Sequence, residues 1–246
     1  MPTLVPVVFT HAFPLTRAMW RPQLDALATG YHAVAYDVRG FGRSPAGDGQ
    51  YTLELMVDDL LALLDERKID RAVLIGLSMG GYITLRAAER APDRIRALVL
   101  AGTRSEADSN EAKIKRAAAI KTVKEKGVAE FAEGFLKTAF APSTSPATLE
   151  EARRLILSNS PTGICGALLA LASRTDTTAF LPRIKVPTLV LVGEHDTLTP
   201  PADARALAGK IPGAELHVLP GAAHISNMEN PTEFNRHLLD FLRRLP

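Results

Sequence analysis

An α/β fold built on a mostly parallel sheet is what this chain predicts, and three observations predict it. Short β-branched and apolar runs alternate with longer helical patterns along most of the 246 residues. That is the rhythm of repeated βα units whose sheet is covered on both faces. The rhythm breaks between Thr103 and Arg183, where about eighty residues hold no convincing strand and several amphipathic helical patterns. Finally, Gly76-Leu77-Ser78-Met79-Gly80 stands between a strand pattern and a helix pattern, the context of a sharp turn that carries a serine.

The elements follow in order. The first strand is expected at Val5 to Thr10 and the second at Ala33 to Asp37, with a helix from roughly Thr16 to Ala28 between them. A helix over Leu53 to Arg67 leads to a third strand at Ala72 to Leu77, where Arg71-Ala72-Val73-Leu74-Ile75 reads as a buried run. The helix from Met79 to Arg90 stops before Pro92, which cannot continue it. Strands at Ala97 to Ala101, Thr188 to Gly193 and Glu215 to Leu219, with helices at Pro201 to Ala208 and Pro231 to Arg244, complete the pattern. Residues 104–183 are expected to form a helical cap inserted into a core made of 1–103 and 184–246. Its apolar side chains, among them Phe131, Phe135, Leu136, Phe140, Ile156, Ile164, Leu168, Leu169 and Phe180, must mostly pack on one another, while some roof a pocket.

Composition narrows the function classes. A formal charge of +2 is too mild for a nucleic-acid partner, which requires a clustered basic surface. One basic stretch, Lys113-Ile114-Lys115-Arg116 continuing through Lys121, Lys124 and Lys126, reads either as a solvated helix face or as attraction for an anionic substrate. The single Cys165 cannot form an internal disulfide, and no Cys/His spacing suits a metal, so neither metal nor cofactor is expected. Met1 to Phe9 lacks a basic leader pattern, and no apolar run approaches the ~20 residues of a membrane span. A soluble cytoplasmic protein acting on a small molecule is the expectation, with oligomeric state open.

The candidate chemistry starts from Ser78. A serine hydroxyl is a poor nucleophile until a base takes its proton, and that base needs an acceptor to orient it. Gly193-Glu194-His195-Asp196 places Asp196 just beyond the fifth strand, and Gly221-Ala222-Ala223-His224 places His224 in a small-residue loop before the last helix. Functional groups of open α/β sheets gather at the carboxyl ends of the strands, so Ser78, Asp196 and His224 are expected at one rim. Glu194 and Asp203 are rival acids beside Asp196, whereas Asp37 and His11 are expected to order loops. His32, His195, His217 and His237 have surface or strand-end explanations.

In that order of serine, aspartate and histidine the chain resembles the α/β-hydrolase superfamily, and within it the capped carboxylesterases and 3-oxoadipate enol-lactonases. The resemblance spans nearly the whole chain. It rests on His11-Ala12-Phe13-Pro14, Asp37-Val38-Arg39-Gly40-Phe41-Gly42-Arg43-Ser44, Gly76 to Gly81, and the Asp196 and His224 loops. It implies a catalytic triad of Ser78, His224 and Asp196, and an oxyanion hole made by the backbone N–H groups of Phe13 and Met79. It departs from the common pattern at Ala12, where a glycine is usual, and at the start, where an expected hairpin is missing. A trimmed six-stranded parallel sheet of order 2-1-3-4-5-6 follows. The implied reaction is hydrolysis of a small-to-medium carboxylic ester or lactone. Perhydrolase, haloperoxidase or carbon–carbon bond hydrolase chemistry on the same scaffold, or a slow-turnover receptor, are the alternatives.

Overall fold

The computed structural model describes residues 4–245, so the Met1 to Thr3 part of the leader reading lies outside the described residues. Six strands form one sheet: β1 (Val5–Thr10), β2 (Tyr31–Tyr36), β3 (Ala72–Leu77), β4 (Ile95–Ala101), β5 (Thr188–Gly193) and β6 (Glu215–Leu219). Every pairing is parallel, and the spatial order is β2-β1-β3-β4-β5-β6. The order reverses between β1 and β3, which puts a crevice at the carboxyl ends of these two strands. β3 and β5 are buried at every residue, as unbroken apolar runs must be when both faces are covered. Cover comes from α1 (Arg21–Leu27), α2 (Leu53–Glu66), α3 (Met79–Arg90), α7 (Pro201–Lys210) and α9 (Pro231–Arg243).

The helix expected over Thr16 to Ala28 divides into a 3-10 turn at Arg17–Trp20 and then α1, because Pro22 lacks the N–H that a continuous helix would need and fits only the first turn of a new one. That turn delivers Trp20 to the core, where its ring lies 5.0 Å from Phe9 and 5.9 Å from Phe234, locking β1 to α9. β2 begins at Tyr31 rather than Ala33, since its register with β1 starts at Val5 opposite Tyr31.

Between β4 and β5 the chain leaves the sheet and forms three helices: α4 (Asn110–Ala139), α5 (Pro146–Leu157) and α6 (Pro161–Ala172). Each begins on a serine cap, Ser109, Ser145 and Ser160, whose side chain accepts an N–H of the first turn. α4 is broken at Gly127, where φ is 86°. Leu136, Phe140, Ile156 and Ile164 are buried, in one cluster with the apolar residues of the sheet, and Leu169 is half exposed. No single helix among the described residues is long and apolar enough to cross a membrane.

Candidate active site

Ser78 occupies the turn between β3 and α3 with φ 56° and ψ −114°, a conformation that costs a residue with a Cβ on the order of 1–3 kcal/mol. Its neighbours hold it there. The Ser78 N–H donates to Ala101 O at 2.9 Å, and Thr103 Oγ1 donates to Ser78 O at 2.9 Å. The flanking glycines are needed for closeness: a Cβ on Gly76 would lie 2.2 Å from Gly80 O, and one on Gly80 would lie 2.1 Å from Thr10 O. Strand, turn and helix therefore interlock at backbone contact, and the serine side chain is pushed out above the strand ends.

The three side chains singled out from the sequence meet in one chain of hydrogen bonds. Ser78 Oγ lies 2.9 Å from His224 Nε2, and His224 Nδ1 lies 2.8 Å from Asp196 Oδ2. The carboxylate accepts the Nδ1 proton, so Nε2 is left as the acceptor facing the serine hydroxyl. Asp196 is tied down from the other side: Oδ1 accepts Leu198 N–H at 2.8 Å and Thr199 N–H at 2.9 Å, and Oδ2 accepts the Thr199 hydroxyl at 2.7 Å. Burial alone would raise the Asp196 carboxyl, but the His224 ring and the Thr199 donors outweigh it and hold the acid below the ordinary carboxylate range. Of the rivals, Glu194 is exposed and accepts Gly221 N–H at 3.0 Å, while Asp203 pairs with Arg104 at 3.0 Å.

The loop after β1 is built around His11, which is fully buried. Val38 N–H donates to His11 Nε2 at 2.9 Å, so the ring proton sits on Nδ1 and is donated to Ala12 O at 2.9 Å. Burial pushes this imidazole down to about 4, against the partial opposition of the Ala12 carbonyl and Asp37. The unfolded chain, with an ordinary value near 6.5, therefore binds the extra proton first as pH falls. The His11 contribution to stability is expected to be whole above about pH 6.5 and to fall by about 3 kcal/mol by pH 4. Urea unfolding at pH 7.5 and 4.5 checks this against His11→Asn, whose stability is expected to vary less over the same interval; an equal slope in both proteins counts against it.

Ala12, where a glycine is usual, is wholly buried and donates its N–H to Met19 Sδ at 3.2 Å. The next N–H, that of Phe13, is bonded to no acceptor among the described residues. Met79 opens α3, so its N–H is among those with no intrahelical acceptor. The Phe13 ring sits in an aromatic cluster, 6.1 Å from Phe41, 5.9 Å from Phe131 and 6.5 Å from Phe135. Asn159, at the end of α5, donates to Pro14 O at 2.8 Å and accepts Gly42 N–H at 2.8 Å, clasping both loops. Asp37 takes the ordering role expected of it by accepting Arg17 N–H at 2.8 Å and Arg43 N–H at 3.1 Å.

Ser78 and His224 open into a cavity of about 470 Å³ between the strand ends and α4 and α6, roofed by Phe131, Phe135 and Leu168. This volume suits a small organic molecule. The wall includes a buried ion network that sequence reasoning missed. Asp108 accepts from Arg174 and from Arg116 Nε at 2.8 Å, and the Arg174 guanidinium lies 4.2 Å from the Tyr82 ring centre. Burial would raise Asp108, yet the two guanidiniums hold its carboxyl below the usual range. Arg116 and Lys115 both line the cavity, Lys115 being exposed to solvent as Lys113 is. A larger depression of about 1150 Å³ lies beside Arg71, Pro92 and Lys185, at the amino ends of β3 and β4, away from Ser78. No group of three or more His, Cys, Asp or Glu side chains able to hold a metal ion occurs among the described residues. Thr199 left a readable trace, an Asp-x-x-Thr spacing that favours side-chain to backbone bonding. Asn159 left none.

An all-parallel sheet in this order, with a strained serine on the turn between its third strand and the following helix, is the architecture of the α/β hydrolases. A family model described as alpha/beta hydrolase fold matches residues 5–231, and the chain belongs to that family. It is 31% identical over 241 residues to 3-oxoadipate enol-lactonase 2 of Acinetobacter baylyi, covering 97% of this chain and 88% of the relative. Among solved structures, a thermophilic esterase from Thermogutta terrifontis, with malate bound, superposes with a TM-score of 0.95 at 37% identity, covering 99% of this chain and 91% of that one. The enol-lactonase from Burkholderia xenovorans gives 0.91 at 33% identity, with 98% and 92% covered.

Proposed function

We propose that this protein is a cofactor-independent serine hydrolase that cleaves a small-to-medium carboxylic ester or lactone. The observation that carries the proposal is the continuous chain from Ser78 through His224 to Asp196, opening into a cavity of about 470 Å³. His224 Nε2 takes the Ser78 proton as Oγ attacks the substrate carbonyl, and Asp196 stabilises the imidazolium that forms. The N–H groups of Phe13 and Met79 receive the developing oxyanion, each worth about 3 kcal/mol or more in such sites. The imidazolium then protonates the departing alcohol, or the ring oxygen of a lactone, and water activated by the same histidine releases the acid. Residues 104–183 serve as the cap that selects the substrate, with Phe131, Phe135 and Leu168 against its apolar part. The lone Cys165 fits a reducing, cytoplasmic setting. The relatives named as enol-lactonase and esterase support the same substrate classes.

A fluorophosphonate, which reacts with activated serines, is expected to label the protein once per chain, at Ser78, and to stop hydrolysis in step with labelling. Mass spectrometry of the labelled peptide checks the site, and a panel of p-nitrophenyl esters and small lactones checks the substrate class. Labelling elsewhere with turnover intact rules the proposal out.

A further inference from the structure

Glu229 is a half-buried carboxylate that no step above employs. It ends α8 (Ser226–Glu229), the single helical turn that follows the His224 loop. Its Oε2 accepts the Ala223 N–H at 3.0 Å. Its Oε1 accepts the Ala141 N–H at 2.8 Å and the Thr144 hydroxyl at 2.7 Å. Ala141 and Thr144 lie in the connection between α4 and α5, so one carboxylate joins the loop that carries His224 to the segment that follows α4, the helix whose Phe131 and Phe135 roof the cavity. The next peptide repeats the link: His224 N–H donates to Ala139 O at 3.0 Å.

The chemistry of this junction calls for a carboxylate. Three donors converge on the side chain, and both of its oxygens must accept. A glutamine offers one accepting oxygen and turns an NH₂ toward one of those donors, and an apolar residue leaves three polar groups without a partner. Burial raises the Glu229 carboxyl above its ordinary value, against the opposing pull of these donors and of the His224 charge. Ala223 immediately precedes the histidine, so the peptide that Glu229 anchors sets where the imidazole leaves the backbone.

We infer that Glu229 is the positioning residue for His224, pinning the Ala223 peptide to the α4–α5 connection so that the imidazole stays between Ser78 and Asp196. This rests on His224 being the general base. A displacement near 1 Å at a reacting group costs up to about 100-fold in rate. Glu229→Gln is therefore expected to lower kcat for a p-nitrophenyl ester about 10- to 100-fold, with KM unchanged within about twofold. The rate of Ser78 phosphonylation should fall by the same factor, because it reads proton removal without substrate fit. Where the glutamine variant does not fold, Glu229→Asp, too short to span both partners, is read in the same two assays. A lowered melting temperature with kcat per labelled site and phosphonylation rate at parental values overturns the inference. His224→Ala separates the two levels. If it is inactive while Glu229→Gln keeps parental kcat, the Glu229 assignment alone fails; if it turns over like the parent, the base reading fails and takes this inference with it.

Discussion

Ser78→Ala is expected to lower kcat for a short p-nitrophenyl ester by about 10⁵- to 10⁶-fold, the scale seen when a triad nucleophile is removed, and to abolish fluorophosphonate labelling. The fold should survive the change. The Ser78 side chain makes one hydrogen bond, to His224 Nε2, and gives no cap bond to α3. The strained backbone is held by Ala101 O and Thr103 Oγ1, which the substitution leaves in place. Stability should therefore change by less than about 1 kcal/mol, because the one atom that loses its partner, His224 Nε2, faces the cavity and not packed protein. Substrate affinity, set by the cavity wall, should shift little, so the variant is also the reagent for capturing a bound ester. Ester hydrolysis at the parental rate by the alanine protein would remove Ser78 from the mechanism.

Asp196→Asn is expected to cost about 10³- to 10⁴-fold in kcat with little change in KM, through the tautomer of His224. The amide oxygen of the new side chain is drawn to the place of Oδ1, where the N–H groups of Leu198 and Thr199 both donate. Its NH₂ then faces His224 Nδ1, where the carboxylate oxygen stood. Two donors cannot share that contact, so the ring shifts its proton to Nε2 and presents a donor to Ser78 instead of an acceptor. The Thr199 hydroxyl, which donates to Oδ2, loses its acceptor as well. Steady-state kinetics beside the histidine signals in ¹⁵N NMR checks both halves; a large rate loss with Nδ1 still protonated would point to some other cause.

Much of the scaffold was legible because its signals are local. Each buried strand is a short apolar run, and the Ser78 turn announces itself through glycines that the structure shows to be needed for backbone contact between β1, β3 and α3. Ser78, Asp196 and His224 could be named because each sits just past a strand in a short loop. The supporting groups were harder. Arg116 belongs to a run of charges that reads either as a solvated helix face or as attraction for an anionic substrate, and its pairing with Asp108, which Arg174 also binds, is made with a residue outside that run. Asn159 and Glu229 act on loops about 145 and 6 residues away in sequence, respectively, and nothing in their immediate neighbours marks them. Leu169 looked like a packing residue by composition, but its place on α6 leaves it half exposed. Pairings made across the fold have no periodicity to betray them.

The hydrogen bond between Ser78 and His224 closes a loop of 146 residues, and the one between His224 and Asp196 closes 28 more locally. Ordering so distant a pair must wait until β3, β5 and the segment after β6 have all docked, because loop closure costs entropy before the contact returns anything. Reactivity of Ser78 toward a phosphonate is thus a stopwatch for the last stage of folding: during refolding it should rise after backbone structure has formed, and its lag measures how long the molecule remains shaped but chemically inert.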